Sequence, residues 1–215
     1  MTTTRFEDLL GATRVVPVIT MPDAASAVPL AKALIAGGLQ VLEVTLRTER
    51  ALESIERIAG AVPQAVIGAG TVNTPQQLRD ARGAGAQFIV SPGCTDALAA
   101  AAAEADGAFL PGAVTASEIL RLMEHGISLM KFFPAETSGG VAALRSLAGP
   151  FPAVRFCPTG GISLARALDY LALANVACIG GTWMVPPDLI ACGDWGAITA
   201  LAREASTATR LPVAA

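Results

Sequence analysis

The chain has 215 residues, 53% of them hydrophobic and 15% charged, with a formal net charge of −3. Such a composition is enough for a large core and excludes an intrinsically disordered chain. The acidic balance and the scatter of the basic residues exclude an extended nucleic-acid or anionic-membrane surface, so any anion must be held locally.

Residues 1–10 are polar with a short apolar end and contain no apolar run of signal-peptide length. No stretch approaches the roughly 18 apolar residues of a membrane span, and a cytoplasmic protein is expected. A short helix is expected around residues 4–10, ahead of the first strand and closing the bottom of the fold. Apolar runs at 15–19, 41–46, 65–70, 88–91, 108–110, 129–133, 154–157 and 177–179 then alternate with alanine-rich amphipathic segments. Runs that are apolar throughout imply strands covered on both faces, and parallel strands need helical crossovers. Eight such units in a single α/β domain over residues 1–215 predict a (β/α)8 TIM barrel with a short N-terminal helix. An open doubly wound sheet would carry a G-x-G-x-x-G turn after its first strand. Here that turn reads Ile19-Thr20-Met21-Pro22-Asp23.

Helix punctuation agrees. Pro22-Asp23 precedes a helix over 24–36 that Gly37-Gly38 ends. Thr74-Pro75 opens one over 76–82, with proline where the first turn accepts it. Thr95-Asp96 opens an alanine-rich helix, and Ser163 opens another that stops before Asn175. Cys94, Cys157, Cys178 and Cys192 make no C-x-x-C pair and read as buried small hydrophobes. His125 is the one histidine and sits at a helix end before Gly126. A zinc site built on several histidines is thereby excluded. Neither a metal nor a cofactor is expected.

In a barrel of this kind the active site lies at the C-terminal ends of the strands. The second strand puts Glu43, Thr45 and Arg47 on one face by its two-residue period. Buried charges there are costly unless paired. Either Glu43 and Arg47 form a buried ion pair, or Glu43 is an acid/base group beside a guanidinium that grips a substrate carboxylate. The third strand ends Gly68-Ala69-Gly70-Thr71, where glycines let backbone approach a ligand and Thr71 can donate to it. The fourth and fifth end at Ser91-Pro92-Gly93 and Pro111-Gly112. The sixth is the sharpest. Lys32 and Lys131 are the only lysines of the chain, and Lys131 lies inside Leu129-Met130-Lys131-Phe132-Phe133. Lys32 reads as a solvated helix position. An amine in an apolar setting attacks a ketone carbonyl, and the iminium that forms is an electron sink. The structural alternative is a lysine salt-bridged to Glu43 without chemistry. The last two strands end Pro158-Thr159-Gly160-Gly161 and Gly180-Gly181-Thr182. Paired glycines there, with a helix N-terminus, suit a phosphate.

These residues together resemble the 2-keto-3-deoxy-6-phosphogluconate (KDPG) aldolase family, which also covers 4-hydroxy-2-oxoglutarate (KHG) aldolase. The motifs that carry the resemblance run in order over essentially the whole chain. They are VVPVI at 15–19, VPLAKALIAGG at 28–38, VLEVTLRTE at 41–49, IGAGTV at 67–72, AGAQFIVSPG at 84–93, MKFFPAE at 130–136, AGPFPAVRFCPTGGI at 148–162 and CIGGTWMVP at 178–186.

The resemblance implies a metal-independent, homotrimeric class I aldolase. Its substrate is a small phosphorylated keto acid, and it engages neither nucleic acid nor membrane. It would cleave KDPG to pyruvate and D-glyceraldehyde 3-phosphate, and 4-hydroxy-2-oxoglutarate to pyruvate and glyoxylate. By the same resemblance Lys131 matches the Schiff-base lysine and Glu43 the general acid/base. Arg47 and Thr71 match the residues that hold the pyruvyl carboxylate. Pro92 and Phe133 match pocket walls, and Thr159 shapes the pocket beside them. Gly160, Gly161, Gly180, Gly181 and Thr182 fall where the family binds phosphate. Thr182 stands where the best-known members carry serine, so the hydroxyl is kept and a methyl is added. Three rivals stay open on sequence: a phosphosugar isomerase using Glu43 as base, a non-catalytic sugar-phosphate binder, and a metal-dependent aldolase.

Overall fold

The computed structural model describes residues 6–11, 13–105 and 107–210. After the short helix α1 (Phe6–Leu9), strands and helices alternate: β1 (Val15–Ile19), α2 (Ala27–Ala36), β2 (Val41–Thr45), α3 (Ala51–Ala61), β3 (Val66–Gly70), α4 (Pro75–Gly83), β4 (Phe88–Val90) and α5 (Asp96–Glu104). The second half continues β5 (Ala108–Leu110), α6 (Ala116–Glu124), β6 (Leu129–Phe132), α7 (Gly140–Ala148), β7 (Arg155–Pro158), α8 (Leu164–Leu171), β8 (Ile179–Gly181), α9 (Pro187–Cys192) and α10 (Trp195–Ala208). The start of the helix expected at 4–10 lies outside the described residues.

The strands form a parallel (β/α)8 barrel. Six of them pair in the order β5-β4-β3-β2-β1-β8, and β6 pairs with β7. Short bridges join the two groups. Gly112 pairs with Lys131 between β5 and β6, while Phe156–Val176 and Thr159–Gly180 join β7 to β8. The eighth strand differs from expectation: it begins at Ile179 and takes in Gly180 and Gly181, which pair with Val16 and Pro17 of β1. Two glycines after an apolar run look like the exit of a strand. Here they are its body, because a neighbouring side chain occupies the space above Gly180.

The period of two sorts each strand into two faces. One face fills the barrel interior with Val16, Val41, Phe88, Val90, Leu110 and Leu129. Phe6 of α1 sets its ring edge-on to Phe88, with centroids 5.0 Å apart at 73°, and so closes the end where the strands begin. The other face packs residues such as Leu42, Val44, Ile67, Ile89, Met130 and Phe132 against the helices, burying both groups. Helix starts are capped by side chains: Thr74, Thr95 and Thr115 accept from backbone amides of their first turns, Thr115 in a capping box with Glu118. The last helix closes the ring of helices onto the first. Gly37, at the end of α2, leaves room for α10, since a Cβ there would fall 2.4 Å from that of Ala202. Arg14 fastens the opposite edge by donating to the carbonyls of Leu171, Val176 and Ala177. Among the described residues, no helix is long and apolar enough to cross a membrane.

Candidate active site

Glu43 is the third residue of β2 and Lys131 the third of β6, on different walls of the barrel. Their side chains meet inside it. Lys131 Nζ lies 3.1 Å from Glu43 Oε1, with side chains only 5% and 4% exposed. The backbone of Lys131 is held on both sides: its N–H donates to Pro111 O at 2.7 Å and its carbonyl accepts from Ala113 at 2.9 Å. Its Nζ also stands 5.3 Å from the centroid of the Phe133 ring. Glu43 therefore turns to Lys131, which sets aside the Glu43–Arg47 ion pair, one of the two alternatives the sequence left open. A buried ion pair is weak evidence of stabilisation, since well-packed apolar residues serve as well. A primary amine and a carboxylate in buried contact are instead equipped to add to a carbonyl and to move protons beside it.

Gly68 and Gly70 have a packing reason that the sequence does not show. A Cβ on Gly70 would sit 2.1 Å from Glu43 Oε1, and one on Gly68 would sit 2.3 Å from the Phe88 ring. These two positions of β3 are bare because side chains of β2 and β4 lie across them. Gly112 serves the same end: a Cβ there would fall 2.1 Å from Pro92 O, so the strand ends carrying Pro92 and Lys131 are drawn together.

At the rim, exposed Arg47 donates from Nε to Thr71 Oγ1 at 3.1 Å. Thr71 has φ +59°, the one non-glycine with positive φ among the described residues. A β-branched residue there carries strain of about 1–3 kcal/mol. Hydrogen bonds on either side hold it: Leu46 donates to Gly70 O at 2.8 Å and Val72 to Val90 O at 3.1 Å. The guanidinium and hydroxyl thus form a small donor pair facing the opening.

The four glycines expected to cradle phosphate divide into two kinds. Gly160 and Gly161 have φ of +103° and +78° and form a left-handed turn into α8, whose N-cap Ser163 makes no side-chain cap bond. That is the form of an anion-binding helix N-terminus. Gly180 lies in β8 beneath Thr159, whose Oγ1 would be 2.4 Å from a Cβ there; Gly181 yields its space to the ring of Trp183. Thr159 is buried, and Thr182 is exposed just beyond β8.

The remaining sequence candidates lie apart from this cluster. His125 ends α6 and faces Asp96 at 3.6 Å. Lys32 is exposed. All four cysteines are free; Cys157 and Cys178 are buried as expected, but Cys94 is half-buried and Cys192 exposed. Cys192 closes the short helix α9 just before Gly193, at the surface rather than under another layer. Among the described residues no group of three His, Cys, Asp or Glu side chains is placed to hold a metal ion. Sequence reasoning missed Glu136 and Tyr170, whose side chains meet behind the Gly160–Gly161 turn. The available signals were that Glu136 ends the MKFFPAE motif and that Tyr170 is the sole tyrosine.

Comparison with known proteins matches residues 6–201 to the family model described as "Aldolase: KDPG and KHG aldolase". The chain is similar to the 2-dehydro-3-deoxy-phosphogluconate aldolase of Dickeya dadantii, 55% identical over 94% of this chain and 95% of the relative. It is also similar to the KHG/KDPG aldolase of Escherichia coli K12, 54% identical over 97% and 98% of the two chains. Among solved structures, it resembles the KDPG aldolase of Legionella pneumophila, captured with pyruvate as a covalent carbinolamine intermediate. The TM-score is 0.92 at 43% identity, covering 94% of this chain and 98% of that one.

Proposed function

The chain belongs to the KDPG and KHG aldolase family, and on that premise we propose that it cleaves 2-dehydro-3-deoxy-6-phosphogluconate to pyruvate and D-glyceraldehyde 3-phosphate through a Schiff base on Lys131. The observation that carries this reading is the buried Lys131 amine held 3.1 Å from the Glu43 carboxylate. The relative named for both KHG and KDPG supports a second substrate, 4-hydroxy-2-oxoglutarate, cleaved to pyruvate and glyoxylate.

The Lys131 amine adds to the C2 ketone to give a carbinolamine, and loss of water leaves an iminium. Glu43, directly or through a water, takes the proton of the C4 hydroxyl. The C3–C4 bond then breaks, its electron pair flows into the iminium, and the aldehyde departs. The enamine left on Lys131 regains a proton at C3 with help from Glu43, and water releases pyruvate. Arg47 and Thr71 hold the substrate carboxylate, with Pro92, Phe133 and Thr159 as walls. The phosphate lies on the Gly160–Gly161 turn with the Thr182 hydroxyl, beside Gly180 and Gly181, which give their space to Thr159 and Trp183. Phosphate recognition by amides and a hydroxyl suits a chain of net charge −3. The reaction needs no metal and no cofactor. We further propose a single-domain protein over residues 1–215, acting as a cytoplasmic homotrimer.

Sodium borohydride with pyruvate should inactivate the enzyme and leave a reduced three-carbon adduct on Lys131 by mass spectrometry. A label on any other residue, or none, sinks the proposal. Glu43→Gln should lower kcat by roughly 10²–10⁴. Retained activity in a chelator, and pyruvate release in a lactate dehydrogenase-coupled assay, separate this reading from a metal-dependent aldolase and from a binding protein.

A further inference from the structure

We infer that Glu136 and Tyr170 form a latch that positions the Gly160–Gly161 turn and so governs the grip on the substrate's phosphate. The inference rests on the functional reading above and names positioning residues of that same site.

Glu136 follows β6 in the loop that carries Phe133, and it touches the turn directly. Its N–H donates to Gly160 O at 3.2 Å, next to the Ala135–Thr159 hydrogen bond at 2.8 Å. A Cβ on Gly161 would lie 2.9 Å from Glu136 Cγ, so the turn is moulded around this side chain. Tyr170 reaches it from the far side. This residue is fully buried on α8, the helix that the turn opens, and its hydroxyl donates to Glu136 Oε1 at 2.5 Å. Gly140, which starts α7, leaves the space for that contact, since its Cβ would stand 3.1 Å from the Tyr170 hydroxyl. Glu136 thus ties the loop after β6, the turn after β7 and the body of α8 into one unit.

The electrostatics have a second consequence. A carboxylate behind an anion site would repel a phosphate unless donors absorb its charge. Tyr170 donates to Oε1, and the Arg166 guanidinium stands 3.8 Å from the same oxygen. Burial first, and the contact with Glu136 second, hold the Tyr170 phenol well above its ordinary pKa, so it remains a donor. A residue that merely braced α8 would have no reason to bond its backbone to Gly160 and lay its side chain against Gly161, as Glu136 does.

The test compares steady-state pyruvate release from KDPG and from 2-keto-3-deoxygluconate, the same skeleton without phosphate. Full-length wild type, Tyr170→Phe, Glu136→Ala and Glu136→Gln are measured, each checked for folding by circular dichroism. Tyr170→Phe and Glu136→Ala should raise KM for KDPG roughly tenfold. Their kcat/KM on the unphosphorylated substrate should fall by clearly less than on KDPG, since the turn they position grips the phosphate. Glu136→Gln keeps an acceptor for the Tyr170 hydroxyl and should retain most of the wild-type KM. Equal losses on both substrates, or an unchanged KM for KDPG, overturn the latch and leave the aldolase reading standing. A wild-type chain that releases pyruvate from neither substrate overturns that reading, and the latch with it.

Discussion

The two ends of the barrel interior are made by one alternation of residues and do opposite jobs. Where the strands begin, Val16, Val41, Phe88, Ala108 and Leu129 close around Phe6 as an apolar plug. Where they finish, Lys131 and Glu43 meet in the buried interior, and the neighbouring positions of β3 are bare glycine. The first end is packing alone. The second gives up apolar burial, buries an amine and a carboxylate and carries a strained Thr71. Facing inward therefore does not decide what a residue does; depth along the strand does.

The sharpest contrast is expected at Lys131. Lys131→Met should drop pyruvate release to the uncatalysed background and leave Glu43 buried without its partner, costing about 3–5 kcal/mol in urea melts. Adding Glu43→Leu should recover most of that stability and none of the activity. A double variant as unstable as the single one would mean that the pair exists to hold the barrel together. Gly70→Ala comes next. The methyl would displace the Glu43 carboxylate, and a misplacement of that size should lower kcat by about 10²; an unchanged kcat would show that the carboxylate works from elsewhere. At the plugged end the expectation reverses. Phe88→Ala should cost about 3–5 kcal/mol of stability while kcat/KM per folded molecule stays at the wild-type value. Impaired turnover in the folded fraction would erase the distinction between the ends. The smallest effect belongs to Thr71→Gly. Relief of about 1–3 kcal/mol of strain, less the entropy of a new glycine, should leave a net gain of about 1 kcal/mol. KM for the keto acid should rise as the hydroxyl is lost.

Much of this was legible in the sequence. The runs at 15–19 and 108–110 match β1 and β5 to the residue, because each apolar run is cut off sharply, the first by Arg14 and Thr20 and the second by Gly107 and Pro111. Lys131 stood out because a lone amine in an apolar strand needs a partner. That partner lies 88 residues away. What could not be read were the relations between strands. Gly70 is empty for the sake of Glu43, its diagonal neighbour across the β2–β3 ladder, where it pairs with Thr45. Gly180 and Gly181 looked like a loop for the same reason. Their neighbours Thr159 and Trp183 fill the missing side chains, and nothing local to the glycines says so. Glu136 and Tyr170 are separated by 34 positions and carry no spacing signature. Cys192 was misjudged because an exposed cysteine looks no different in sequence from a buried one.

The plug of Phe6 against Phe88 also governs traffic. With that end shut, Lys131 is approached from the rim, past Arg47 and Thr71. In the proposed reaction both products then leave by the one mouth through which the substrate enters, and that route is set by Phe6, an aromatic at the far end of the barrel.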